Sequence, residues 1–427
     1  MTTSGVVTQV AGRHEGATFA SDVFLISDGV LPAHAQEIAE VTTTRVEPEV
    51  YVPPLPGCAV DRATGAARDE ALFFDQMERK VACGTGRDGL PIYLDLDFLD
   101  GTRGAHVSIS GISGVATKTS FALFLLHALF KGGALANAHN AKALIFSVKG
   151  EDLLFLDHTN NKLTDPIRAA YTNLGLPAVP FASVGFFAPP VPDDANGKPH
   201  VSGRTTGVNA FWWTLAELCK GELLPYCFAD AEDDKQQYTM VVHQVTARLK
   251  TEAESFGDDG AVKVDGVLCR THEQLVDRLV ELVTNDSTAA HWAGPVGAGT
   301  VNAFVRRLRS SVKALSAFIR GDLVDPGASR LVSTANQQVT VVDLHNLTER
   351  AQRFVVGVLL SAETARKEAA GPGSLLFTML DELNKYAPRE GSSPIKDVLL
   401  DIAERGRSLG IILIGAVTVQ VPCGVAC

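Results

Sequence analysis

Two short stretches of this chain have the residue types and order needed to handle a phosphorylated ligand. The first is Gly111-Ile-Ser-Gly-Val-Ala-Thr-Lys118-Thr119-Ser120. Glycines let backbone N–H groups approach phosphate oxygens, and a Lys and a hydroxyl residue at a helix start add charge and a metal ligand. The backbone of Gly111, Ser113, Gly114, Val115, Ala116, Thr117, Lys118, Thr119 and Ser120 is read as the cradle. Lys118 is expected on the β- and γ-phosphates, and the Thr119 hydroxyl on Mg2+. The second stretch is Asp381-Glu382, where Asp381 can hold the metal and Glu382 can polarise an attacking water. ATP and Mg2+ are therefore the expected ligands. The loop departs from G-x-x-x-x-G-K-[ST]: one extra residue separates Gly111 from Lys118, and Thr117 stands where the last glycine belongs. A β-carbon there is expected to strain the turn or narrow the cradle.

These residues need strands and helices to carry them. Ala105-His-Val-Ser-Ile-Ser110 reads as a strand entering the loop, and Phe121-Ala-Leu-Phe-Leu-Leu126 as a buried helix leaving it. Ser374-Leu-Leu-Phe-Thr-Met-Leu380 reads as a buried strand ending at the acidic pair, where open α/β sheets place ligands. From about Gly84 short apolar strands alternate with helical segments, the pattern of a parallel α/β sheet. Before it, β-prone pieces such as Asp22-Val-Phe-Leu-Ile-Ser27 and the Pro-rich Tyr51-Val-Pro-Pro-Leu-Pro-Gly57 suggest a small β domain and linker over residues 1–83. Residues 84–427 form the main domain, interrupted by a mainly helical insertion at about 190–325 that opens on the polar loop Asp193–Gly197. Within the insertion, Thr271-His-Glu-Gln274 has the form of a capping box ahead of Leu275, Leu279 and Leu282. Val301 to Arg320 is amphipathic and carries the densest basic cluster, Arg306, Arg307 and Arg309, which either solvates its helix or faces nucleic acid. Asp230-Ala-Glu-Asp-Asp234 is read as a solvated helix end or loop.

The chain has 427 residues, 46% hydrophobic and 20% charged, with a formal net charge of -11. That length exceeds what one core usually supports. The charge argues against a surface coated for non-specific DNA binding but leaves room for a local basic channel. No apolar run approaches the ~18 to 20 residues of a membrane span, and the N-terminus lacks a secretory pattern, so a soluble cytoplasmic protein without a membrane partner is expected. Seven scattered cysteines suggest neither a disulfide framework nor a zinc site.

Asp381-Glu-Leu-Asn-Lys-Tyr-Ala-Pro388 and Ile402-Ala-Glu-Arg-Gly-Arg-Ser-Leu-Gly410, with Phe146-Ser-Val-Lys-Gly-Glu-Asp152 upstream, resemble the HerA branch of the HerA/FtsK ATPases. The resemblance implies a RecA-like P-loop core behind a HAS-like β-barrel. It further implies a hexameric ring moving double-stranded DNA through its pore, often beside a nuclease or other effector partner. It places Lys118 and Thr119 at the phosphate and magnesium positions, Asp381 at the metal and Glu382 as catalytic base. It makes Arg407 a finger reaching a neighbouring subunit; the competing reading pairs Arg407 with Glu404. After the apolar strand Gly410–Ala416 the family presents a polar sensor and further elements. Here only Thr418 or Gln420 could serve as sensor, and the core is expected to be incomplete at its C-terminus. A conjugation-type coupling ATPase and a catalytically weak nucleotide-binding assembly subunit are the alternatives.

Overall fold

The computed structural model describes residues 2–14, 35–50, 52–54, 58–111, 117–228, 236–258, 260–323, 330–371, 373–389 and 391–418. The chain divides into two compact units, 1–80 and 81–427. In the first, β1 (Thr2–His14) and β2 (Ala35–Glu47) form an antiparallel ribbon. Thr44 Oγ1 donates to the Ala71 carbonyl at the end of the short helix Ala66–Ala71. The Arg45 guanidinium bridges Glu47 and Asp75 and lies 5.3 Å from the Phe73 ring centroid. The proposed strand Asp22–Ser27 lies outside the described residues.

The second unit opens with a hairpin of β3 (Lys80–Thr85) and β4 (Pro91–Asp95). Its body is a parallel sheet built from β5 (Val107–Gly111), β6 (Lys142–Ser147), β7 (Val184–Ala188) and β8 (Val208–Ala210). A small hairpin, β9 (Val262–Val264) with β10 (Val267–Cys269), stands apart. The sheet is completed by β11 (Val339–Asp343), β12 (Leu376–Leu380) and β13 (Ile411–Thr418). The strand order is β5-β13-β12-β6-β11-β7-β8, all pairs parallel. β11 and β12 are buried at every position, as near-continuous apolar runs must be when helices cover both faces.

Successive strand residues point to opposite faces, and the core divides accordingly. Ala143 and Ile145 of β6 pack with Met379, Ile412 and the helix Thr117–Lys131 through Leu125, Leu126 and Leu129. Leu144 and Phe146 face the other way, into a core with Leu380, Phe354 and Leu399. Val241, Val245, Leu279 and Phe304, from the helices Gln236–Phe256, His272–Thr284 and Ala298–Leu315, belong to that same core. The helical segment at 190–325 is therefore a layer of the main body, and its opening contributes a strand, β8, to the sheet. The capping box is present: Gln274 N donates to Thr271 Oγ1 and Thr271 N to Gln274 Oε1, both at 3.3 Å, with Leu275, Leu279 and Leu282 buried behind it. The acidic run Asp230–Asp234 lies outside the described residues.

Candidate phosphate and metal site

Parallel pairing brings the C-terminal ends of β5, β12, β6 and β11 to one edge of the sheet, and the chemistry-bearing residues collect there. β5 delivers Gly111. A β-carbon on Gly111 would lie 3.2 Å from Lys118 Cγ, so the bare backbone lets the Lys118 stem pass, and Lys118 Nζ donates to the Gly111 carbonyl at 3.1 Å. Lys118 is buried although charged. Ile112, Ser113, Gly114, Val115 and Ala116 lie outside the described residues. Thr117 is the first residue of the helix Thr117–Lys131, and the turn it was expected to strain lies outside the described residues.

Backbone strain appears at Glu382, which has φ 57° and ψ 46°, the left-handed region that disfavours a side chain with a β-carbon. The turn is packed closely from below. A β-carbon at Gly415 of β13 would lie 2.6 Å from Leu383 Cδ2, so the glycine leaves room for the chain leaving the acidic pair. Asp381 is 3% exposed, whereas the Glu382 side chain retains 25% exposure and contacts Lys385.

Thr119 Oγ1 donates to Asp381 Oδ2 at 3.0 Å, joining residues 262 apart in sequence. The other Asp381 oxygen, Oδ1, is buried and has no hydrogen-bond partner among the described residues. A buried carboxylate oxygen left in this way is costly unless a further cation or donor meets it. A hydroxyl, a carboxylate and a second carboxylate nearby form the hard oxygen set that Mg2+ takes. The residues present thus fit a magnesium ion held by Thr119 and Asp381.

Sequence reasoning assigned no site role to Lys149, although it lies in the segment Phe146–Asp152 at the end of β6. Its Nζ is 2.8 Å from Asp381 Oδ2 and 3.9 Å from Glu382 Oε1. Two residues on, Glu151 accepts hydrogen bonds from Ser202 N at 2.7 Å, Ser202 Oγ at 2.9 Å and Gly203 N. Burial works to raise the Glu151 pKa, but these donors more than offset it and hold the carboxyl below its ordinary value. At the end of β11, Asp343 is fully buried and its carboxylate holds His345 Nδ1 at 2.8 to 2.9 Å. Burial raises the Asp343 pKa, with His345 working in the opposite direction. An acid closing an apolar strand was the signal that singled out Asp381, and Val339-Thr-Val-Val-Asp343 carries the same signal.

Arg407 sits on the helix Pro394–Leu409 and donates through Nε to the Gly101 carbonyl at 2.7 Å and through Nη2 to the Thr102 carbonyl. The pairing with Glu404 considered from sequence is replaced by these carbonyl contacts, because the loop Gly101–Thr102 comes within reach of the helix. Thr418, one sensor candidate, ends β13 in register with Gly111; Gln420 lies outside the described residues. Arg306 and Arg309 are exposed, while the Arg307 guanidinium lies 4.4 Å from the Tyr238 ring centroid, half-buried on the helix surface. One strand, β13, separates β5, which precedes the helix bearing Lys118 and Thr119, from β12, which ends at Asp381, and β6 follows beyond it.

This strand order, with Lys118 at a helix start and an acidic strand end on the same side of the sheet, is consistent with a RecA-like P-loop NTPase fold. The sequence matches no protein-family profile and no curated protein. Among solved structures it is similar to the plasmid coupling protein TrwB in complex with ADP and Mg2+, at 12% identity and a TM-score of 0.46, over 80% of this chain and 69% of that one. It is similar to TrwB with a non-hydrolysable GTP analogue at 13% identity and a TM-score of 0.46, with the same coverage. VirB4 of Thermoanaerobacter pseudethanolicus aligns at 12% identity and a TM-score of 0.42, over 80% of this chain and 77% of that one. The chain spans about two thirds of the length of the TrwB chains it matches. The fold assignment rests on strand order and site geometry, not on these distant likenesses.

Proposed function

We propose that this protein binds ATP with Mg2+ and hydrolyses it to move DNA. The observation that carries the reading is the Thr119 Oγ1 to Asp381 Oδ2 hydrogen bond beside Asp381 Oδ1, which has no partner among the described residues, with Lys118 buried on one side and Glu382 on the other. In this reading Lys118 binds the terminal phosphates and Thr119 with Asp381 holds the metal, which neutralises developing charge on the transferred phosphoryl group. Glu382 orients the attacking water. Arg407 serves a neighbouring subunit of a hexamer after leaving the Gly101 and Thr102 carbonyls. The HerA-like segments support double-stranded DNA as the track, with a nuclease or other effector as partner and the cytoplasm as location. The conjugation coupling class shares this core, and the TrwB and VirB4 likenesses favour it as the second reading. Among the described residues no helix is long and apolar enough to cross a membrane.

The test is ATP hydrolysis with and without double-stranded DNA. The native chain is expected to hydrolyse ATP faster with DNA, and Lys118→Ala and Glu382→Gln to lose at least ~100-fold, the scale of removing a principal charge or water-orienting group. Turnover indifferent to DNA and to both substitutions would sink the proposal.

A further inference from the structure

Lys149 makes a claim on the same carboxylate that a metal ion needs. Asp381 Oδ2 receives the Thr119 hydroxyl at 3.0 Å and the Lys149 ammonium at 2.8 Å. A divalent cation held by Thr119 and Asp381 would share that carboxylate with the ammonium, and two cations on one buried carboxylate repel strongly where little water screens them. The Asp381 side chain is 4% exposed and fixed at a strand end, whereas the Lys149 side chain is 55% exposed on a four-carbon stem, so the lysine is the partner free to move. A second carboxylate oxygen, Glu382 Oε1, lies 3.9 Å from the same ammonium.

The backbone next to Lys149 is fixed. Ser147 Oγ donates to the Gly150 carbonyl at 2.9 Å, and Glu151 is held by Ser202 and Gly203. Movement of Lys149 is therefore confined to its side chain, which suits exchange between two neighbouring oxygens.

We propose that Lys149 is a built-in competitor of Mg2+ for Asp381, displaced toward Glu382 and the terminal phosphate when metal and nucleoside triphosphate bind. The inference rests on the phosphate-site reading above. It makes Lys149 a positioning residue that sets how much magnesium the site requires and favours a triphosphate over a diphosphate, because the γ-phosphate adds anionic oxygens for the displaced ammonium that a diphosphate lacks.

The experiment is calorimetric titration of the full chain with ADP and with a non-hydrolysable ATP analogue across a range of Mg2+ concentrations, for native, Lys149→Met and Lys149→Arg. Lys149→Met is expected to lower the Mg2+ concentration for half-maximal ADP binding by about three- to tenfold, the scale of one charge-assisted contact. It is expected to shrink the preference for the ATP analogue by a similar factor, and Lys149→Arg to stay near native on both counts. Without nucleotide, Lys149→Met is expected to melt below native and to gain more from added Mg2+, since the metal then supplies the missing counter-charge. Identical magnesium dependence and melting for native and Lys149→Met overturn the inference while leaving the phosphate site intact. A native chain that binds neither nucleotide at any Mg2+ concentration overturns the phosphate site and the inference together.

Discussion

At the scale of single residues, the site combines two kinds of cost. Asp381 leaves one carboxylate oxygen buried and without a partner among the described residues, and Glu382 holds a left-handed backbone. Positions of this kind persist when the surroundings over-determine them, here through Leu383 seated on Gly415 and the Lys385 contact. Glu382→Gly is accordingly expected to stabilise the fold by about 1 kcal/mol in urea denaturation, because glycine adopts this backbone without penalty. The same variant is expected to lose ATP turnover. A midpoint that falls on substitution would show that Glu382 is not strained. Lys149 belongs to this scale too: one mobile ammonium beside one fixed carboxylate can set a metal requirement.

At the scale of elements, the helix His272–Thr284 illustrates how local sequence and burial combine. Thr271 and Gln274 cap it reciprocally, while its first residue, His272, is fully buried beside Ser316, whose Oγ lies 3.4 Å from His272 Nδ1. Burial lowers the His272 pKa from 6.5 to about 4. The folded state thus releases a proton that the unfolded chain keeps below pH 6.5. The stability tied to neutral His272 is present above pH 6.5 and is lost as pH falls from there toward 4, with a ceiling of about 3 kcal/mol. Thermal melts from pH 7 to pH 4 are expected to show this decline in the native chain and a shallower one in His272→Leu. Equal slopes would exclude His272 as the cause. The helix Thr117–Lys131 makes a related point, since its apolar length anchors Lys118 and Thr119 under the sheet and transmits their position to the acidic strand end.

At the scale of the whole molecule, all described residues of the phosphate and metal site lie within unit 81–427, and so do both large cores. A chain beginning at Val81 is expected to melt cooperatively and to bind ATP with Mg2+ within about threefold of the full chain, a difference of under 1 kcal/mol. Loss of binding with folding intact would assign the first unit a part in the site. Within the second unit, one edge of a single sheet holds Gly111 and Lys118, Asp381 and Glu382, Lys149, and Asp343 with His345. This line of groups exists because parallel strands end on the same side.

The sequence by itself determined the local pieces: an apolar strand before Gly111, a helix from Lys118, a buried strand closing on Asp381, a capped helix at Thr271. Each follows from periodicity, turn residues or capping chemistry within a dozen residues. Asp381 and Thr119 could be nominated because their types matched a known chemistry at strand and helix ends. Only the tertiary structure decided that Thr119 and Asp381 touch, that Lys149 joins them, that Glu382 takes a left-handed backbone, and that Arg407 reaches Gly101 and Thr102. It also decided that the helices after residue 236 share the main core. These outcomes depend on strand order and on contacts across tens to hundreds of residues, where the positions of partners are set by packing the whole sheet and leave no local trace in residue spacing.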